Sequence, residues 1–378
     1  MTSPEQKLKI LLMTEAWQSA LACIQSLGRR GHEIHVLVGN DPELLNAKSS
    51  WVKGVTRFPR SMKAEGDAKA LLDFVEERGF DIVIPISDYD AEIAAVAREH
   101  PQLGERFVSS SSDAIAVARS RNRTVELARK LGIGVPPTEF VTRETAAKAL
   151  EKLGFPAYLK ASSSTGSFGV QRLSTMDQLE QALAKLPEDA EIQVQQEVTG
   201  VSHGVTGFCR HGEVLGSFAF RHAYKTNLGG AQAHLLLADE PQLHDILGKV
   251  ARELDWHGGI DLDLIVSPEH GPVLLEINPR LSGTAVFALK RGVDLPAGYL
   301  PTSTSPEDLQ AAPLNPNATG FINIPREMIL LQAGGKKMRE IALGFRRQHK
   351  CADSWFANDP GYSRALFNAV QVGWLRQG

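Results

Sequence analysis

One stretch in the C-terminal half constrains this chain more than any other. Gly259-Ile260-Asp261-Leu262-Asp263-Leu264-Ile265-Val266 runs into a polar turn, Ser267-Pro268-Glu269-His270-Gly271-Pro272, and then into Val273-Leu274-Leu275-Glu276-Ile277-Asn278-Pro279-Arg280-Leu281-Ser282-Gly283. Side chains alternate faces along a strand. Leu262, Leu264 and Val266 are therefore expected in a core with Asp261 and Asp263 facing out, and Leu275 and Ile277 in a core with Glu276 and Asn278 facing out together. If the turn closes a hairpin, Asp263 and Glu276 meet across the ladder, where like charges directly opposite destabilise. One reading is an edge hairpin with a solvated polar face. The other is a site where Asp263, Glu276 and the Asn278 amide oxygen share a hard cation, magnesium or manganese, with phosphate oxygens. Arg280 then points into the same site with a fixed charge suited to an anion.

A chain of 378 residues has volume for two or three packed domains. With 43% hydrophobic and 22% charged residues and a net charge of −3, it gives no electrostatic case for nucleic acid or an anionic membrane as partner. Cys23, Cys209 and Cys351 lack the number and spacing of a disulfide framework or a zinc site. The polar start, Met1 to Lys9, does not read as a signal peptide, and no apolar run is long enough to span a bilayer. The expectation is a cytoplasmic protein, with a homodimer as the generic assembly.

From Leu8 to about Val108, short apolar runs at Ile10–Met13, Ile34–Val38, Ile82–Ile86 and Phe107–Val108 alternate with amphipathic segments, which predicts a Rossmann-like parallel sheet covered on both faces. The first turn, Thr14-Glu15-Ala16-Trp17, lacks the glycines of a dinucleotide loop. Ser87 and Asp88 follow the Ile82–Ile86 strand, either as substrate contacts at the strand ends or as the cap of the next helix. Ser109–Ser112 marks a polar boundary. Two helical stretches, 113–120 and 124–131, end at Gly132-Ile133-Gly134-Val135-Pro136-Pro137. Residues 138–196 read as α+β, and 204–238 as antiparallel with a turn at His211-Gly212-Glu213. Pro156–Ala161 is a strand carrying Lys160 out of an apolar face, followed by Ser162-Ser163-Ser164-Thr165-Gly166-Ser167-Phe168-Gly169. Small residues there let backbone N–H groups converge on an anion, although an exposed hairpin can be built the same way, and the sequence is not a P-loop.

Strand lysine, small-residue loop, and then an acid followed by Glu-x-Asn-Pro-Arg-x-Ser-Gly: this order resembles the ATP-grasp superfamily, over roughly Leu8 to Arg291. The resemblance implies α/β and α+β layers: a Rossmann-like pre-ATP-grasp domain (1–112), two α+β ATP-grasp subdomains (113–196 and 197–300), and a C-terminal extension packed on them (301–378). ATP is then held by Arg123, Lys160, Ser162, Ser163, Ser164, Gly166, Ser167 and Gly169, with Gln196, Glu197 and Val198 recognising adenine. Asp263, Glu276 and Asn278 bind magnesium, while Arg280 and Lys160 act in catalysis. Arg221, Lys225, Arg280, Ser282 and Gly283 line the acceptor pocket. Arg123 stands where the family usually has lysine, and Ser202 and His203 stand where an acid commonly binds ribose; His203 also reads as a surface histidine. The implied reaction is carboxylate–amine ligation through an acylphosphate, with ATP converted to ADP. Other acceptors (thiol, bicarbonate), a kinase-like transfer and a non-catalytic nucleotide-binding module are the alternatives.

Overall fold

The computed structural model describes residues 6–14, 17–39, 45–162, 169–224 and 233–375. The apolar runs at the start build the parallel sheet expected of strands that cannot face water on either side. β1 (Lys9–Thr14), α1 (Trp17–Arg29), β2 (Glu33–Val38), β3 (Val52–Arg57), α2 (Ala64–Arg78), β4 (Ile82–Pro85) and α3 (Asp88–Arg98) follow one another. The strands lie in the order β3-β2-β1-β4, all parallel. β3 escapes the sequence reading because it is an edge strand alternating half-buried and exposed residues. Phe107, expected in a strand, makes only a single bridge to Val83.

α4 (Ser112–Arg119) and α5 (Arg121–Lys130) meet at Ser120, which ends one helix and caps the other. The serine boundary before them is only partly solvated, with Ser111 exposed as the cap of α4. Ser109 and Ser110 are buried, and Ser110 Oγ accepts the His257 N–H at 2.8 Å. β5 (Thr138–Val141), α6 (Ala146–Leu153), β6 (Ala157–Ala161), β7 (Val170–Leu173), α7 (Leu179–Leu183) and β8 (Ile192–Gln196) form an antiparallel sheet in the order β5-β8-β6-β7.

The rest builds one seven-stranded sheet: β9 (Val201–Arg210), β10 (Glu213–His222), β11 (His234–Leu237), α8 (Pro241–Glu253), β12 (Gly258–Ser267), β13 (Gly271–Asn278), α9 (Ala285–Arg291), β14 (Gly320–Ile322), α10 (Ile324–Gln348), β15 (Cys351–Asp353) and α11 (Pro360–Leu375). Its order is β13-β12-β9-β10-β11-β14-β15. The β9–β10 turn places His211 and Gly212 at φ 47° and 78°, the left-handed pair that suits a tight hairpin. One face, with Phe208, Phe218 and Phe220, packs against α1, α9 and the parallel sheet. The other, with Val205, Leu262 and Leu264, packs against α4, α5 and α8. The chain beyond residue 300, expected as an extension, supplies two strands of this sheet and returns α11 to the N-terminal domain. Cys23 and Cys209 are buried, and all three thiols are free. Among the described residues no helix is long and apolar enough to cross a membrane.

Candidate active site

β12 and β13 pair antiparallel, with Asp261 opposite Asn278 and Asp263 opposite Glu276. The acids therefore meet across the ladder as the alternation requires. The register slips immediately after Asp263, because Leu264 pairs with Leu274 and leaves Leu275 as the extra residue of a bulge. Leu274 is thus the buried residue, and Leu275, expected in the core, is only half-buried.

The acid face is crowded with charge. Asp261 is 3% exposed and accepts from Ser282 Oγ at 2.8 Å and from Asn278 Nδ2 at 3.5 Å. Burial, reinforced by Asp263, pushes its carboxyl up to about 8. Asn278 Nδ2 also reaches Asp263 at 3.2 Å. Burial raises the Glu276 carboxyl too, opposed by Arg121, whose Nη2 lies 3.2 Å from Glu276 Oε1. The same guanidinium gives Nη1 to Ala161 O at 2.8 Å, so it joins β13 to β6. Two carboxylates are hard-oxygen donors that suit magnesium, which is commonly completed by water and substrate phosphates, and Asn278 would add its Oδ1, now turned to Arg280, only with its amide flipped. Asn278 converges its amide hydrogens on Asp261 and Asp263, a weaker version of what a cation would supply there.

β6 brings Lys160 to the same place. Ala157, Leu159 and Ala161 enter a core under α6, and Lys160 leaves on the other face. Its Nζ donates to Gln195 Oε1 at 2.5 Å. Burial, then Arg121, push its amine down to about 8, with Glu276 opposing. Arg280 lies 3.4 Å from Asn278 Oδ1, and its Nε stands 2.9 Å from Asp88 Oδ1 in a close ion pair. Of the two residues at the β4 exit, Ser87 is the helix cap, accepting the Asp90 N–H at 3.1 Å, and Asp88 faces the site.

Several expected residues land elsewhere. Arg123 is exposed, and Arg121, one helical position set by the Ser120 cap, carries the charge inward. Ser162 is 1% exposed and committed to the α4–α5 joint, its Oγ 2.9 Å from Ser120 Oγ. Gly169 has φ 72° and its carbonyl closes on Ala161 N–H at 2.9 Å. Ser163, Ser164, Gly166 and Ser167 lie outside the described residues, as do Lys225 and Leu228–Gly230. Arg221 sits in register with His203 and Leu264 on the face opposite the acids, whereas His222 falls on the acid face, its imidazole pushed down by burial against the pull of Asp263. His203 is not a surface residue: it is 3% exposed, with Nδ1 2.9 Å from Val201 O. The Gln196 and Glu197 N–H groups are bonded to Pro137 O and Pro156 O at 2.9 and 3.0 Å. Ser282 buttresses Asp261, and Gly283 precedes α9, its carbonyl accepting the Val286 N–H at 3.3 Å.

Residues 127–289 match the family model described as D-ala D-ala ligase C-terminus. A probable alpha-L-glutamate ligase of Methanococcoides burtonii is 25% identical over 73% of this chain and 89% of its own length. Among solved structures, the biotin carboxylase domain of Hydrogenobacter thermophilus 2-oxoglutarate carboxylase, in complex with MgADP, ADP and bicarbonate, superposes with a TM-score of 0.65 at 16% identity, covering 81% of this chain and 73% of that one. An L-amino acid ligase from Bacillus licheniformis superposes with a TM-score of 0.59 at 15% identity, covering 82% and 76%. The order of the three sheets, the paired acids on the β12–β13 hairpin and the match of residues 127–289 to the ligase model together support the ATP-grasp carboxylate–amine ligase superfamily as what this chain resembles.

Proposed function

We propose that this chain is an ADP-forming ligase that activates a small-molecule carboxylate with Mg-ATP and joins it to an amine, the reading its ligase-named relatives also favour. The observation that carries it is the convergence of Lys160, Arg121, Glu276, Asp263, Asn278 and Arg280 from three layers onto one acid-lined face. Asp263, Glu276 and Asn278 would hold magnesium, which supplies neutralisation and polarisation of phosphate oxygens when bound. Lys160 adds a point charge for the phosphates, fixed in place by Gln195. Of the N–H groups from Gln196 to Val198, that of Val198 would donate to the base, since the two before it are already bonded, while backbone carbonyls of the segment would accept from its exocyclic amine.

In the reaction the acceptor carboxylate oxygen attacks the γ-phosphorus as the bond to the β-γ bridging oxygen breaks, giving ADP and an acylphosphate. The amine then adds to the acyl carbon, loses a proton, and expels inorganic phosphate. Arg280 presents planar donors suited to the carboxylate and the acylphosphate, and Asp88 holds its plane. Catalysis therefore rests on positioning and charge, without a protein nucleophile.

The test is release of ADP and phosphate from Mg-ATP with pooled carboxylates crossed with pooled amino acids and amines, using Glu276→Gln as control. ADP and phosphate that need both pools and vanish in the variant establish the ligase. AMP as product overturns the acylphosphate route.

A further inference from the structure

The strands that carry the site at one end border a second concavity at the other. A cavity of about 180 Å³ lies among Arg98 at the end of α3, Arg210 at the end of β9, His211 in the tight turn and His257 just before β12. None of these takes part in the site above. His257 and Asp263 are separated along β12 by roughly 20 Å of extended chain.

The basic groups are held in place and left incompletely satisfied. Arg98 donates to Ser109 O, and Arg210 Nη2 donates to Gly298 O at 3.0 Å and Leu300 O at 3.1 Å. Arg210 Nε and His257 Nδ1 are buried without a hydrogen-bond partner. The rings of His211 and His257 lie 4.4 Å apart, tilted by 41° to one another. Asp81 and Glu105 also line the cavity but are exposed, and the Asp81 carboxylate accepts the Lys9 N–H at 2.7 Å. Among the described residues neither arginine has an acidic partner within ion-pair distance. Buried donors and cations without counter-charge are costly, and two fixed guanidinium groups facing an imidazole form a receptor for an anion.

We propose that this pocket binds a compact, multiply charged oxyanion through Arg98, Arg210 and His257, as a ligand site separate from the hairpin acids. Such an anion accepts from the orphaned Arg210 Nε and from His257 Nδ1 at once. Burial, then Arg98, His211 and Arg210, push the His257 imidazole down to about 3, and Asp81 and Glu105 are the acids that line the cavity with them. A bound anion offsets the neighbouring positive charges, so its binding raises the His257 imidazole and favours proton uptake there.

The experiment titrates inorganic phosphate and, separately, malonate into the full chain by calorimetry, at constant ionic strength and with EDTA present so that the hairpin acids repel the probe. The expected result is a single site for at least one probe, weakened about tenfold or more in Arg98→Gln and in His257→Asn, and unchanged in Lys160→Ala. Phosphate alone or malonate alone identifies the source of the anion. Repeating the titration in two buffers of different ionisation heat should show proton uptake that His257→Asn reduces. His257→Asn disturbs no inter-element arginine contact, which guards against a folding defect in Arg98→Gln. The proposal is overturned by no binding at tens of millimolar, by weak binding indifferent to both variants (an adventitious ion only), or by binding that Lys160→Ala abolishes.

Discussion

Asp88 and Arg280 are far apart in sequence, and the 2.9 Å ion pair between them is what ties the N-terminal domain to the reacting end of the hairpin. Asp88 also lies 3.6 Å from Arg119, so it is held from the other side. Replacing Asp88 with Asn keeps the size and removes the charge that orients the guanidinium. The expected outcome is a turnover rate lower by on the order of tenfold to a hundredfold, with ADP affinity nearly unchanged; a lost affinity with normal turnover would place Asp88 against the nucleotide instead. Lys160 supports a pH prediction. Its amine is lowered from 10.5 to about 8 by burial, so between those values the unfolded chain holds a proton that the folded one releases. Its contribution to stability is present above 10.5 and is lost as pH falls through about 8. Polyphosphate favours the ammonium form, so ADP affinity should fall above pH 8 by up to about tenfold per unit, with proton uptake on binding. Calorimetry at pH 7 and 9.5 measures this, and a flat profile would remove Lys160 from the phosphate site. Arg121 shows why single-residue assignments slip: Arg121 and Arg123 are equally basic on paper, and only the Ser120 cap sets which one the first turn of α5 turns inward.

At the scale of elements, the hairpin was the most legible part of the chain. Two alternating runs joined by a short polar turn leave one register that buries Leu262 and Ile277, and that register puts Asp263 opposite Glu276. The bulge at Leu275 was not legible, because an extra residue between apolar neighbours leaves the pattern Leu-Leu-Glu unchanged. The same limit hid β3, whose half-exposed edge pattern carries little hydrophobic signal. Gly204 tests how tightly the sheet supports the acids. It is the cross-strand neighbour of Asp263 on one side and of Phe220 on the other. A Cβ built there would stand 2.3 Å from Phe220 Cζ, well inside contact distance. Gly204→Ala must therefore displace a core ring or bow β9 beneath Asp263. The expected cost is about 1–3 kcal/mol in chemical denaturation, together with weaker magnesium dependence of turnover. A variant of unchanged stability would show that Phe220 has room to move.

At the scale of the whole molecule, the chain's end is part of its frame. β15 pairs parallel with β14 at the edge of the large sheet, and α11 then crosses to the N-terminal domain. Nothing in the composition after residue 300 announces this, since the contacts join residues more than 300 apart and leave no local periodicity. The joint is made by Asp359, 0% exposed, just before α11. Its carboxylate accepts Gln25 Nε2 at 2.6 Å, the Ser50 N–H at 2.8 Å, the Tyr362 N–H at 3.1 Å and the Ser49 hydroxyl. Around it, Ile10 and Leu27 share one core with Phe321, Phe356 and Tyr362, so first and last segments are buried against each other. Asp359→Ala leaves those donors unpaired in a dry site and should lower stability by about 3 kcal/mol or more. Because the core is common to both ends, the loss should appear as one cooperative transition moved to lower denaturant, with α11 cleaved early in limited proteolysis. Two separated transitions in the variant would show instead that the N-terminal domain folds without the C-terminal clamp. Asp359→Asn, which keeps an acceptor oxygen, should fall between the two, and if it matches the alanine variant, the charge rather than the hydrogen-bond count holds the ends together.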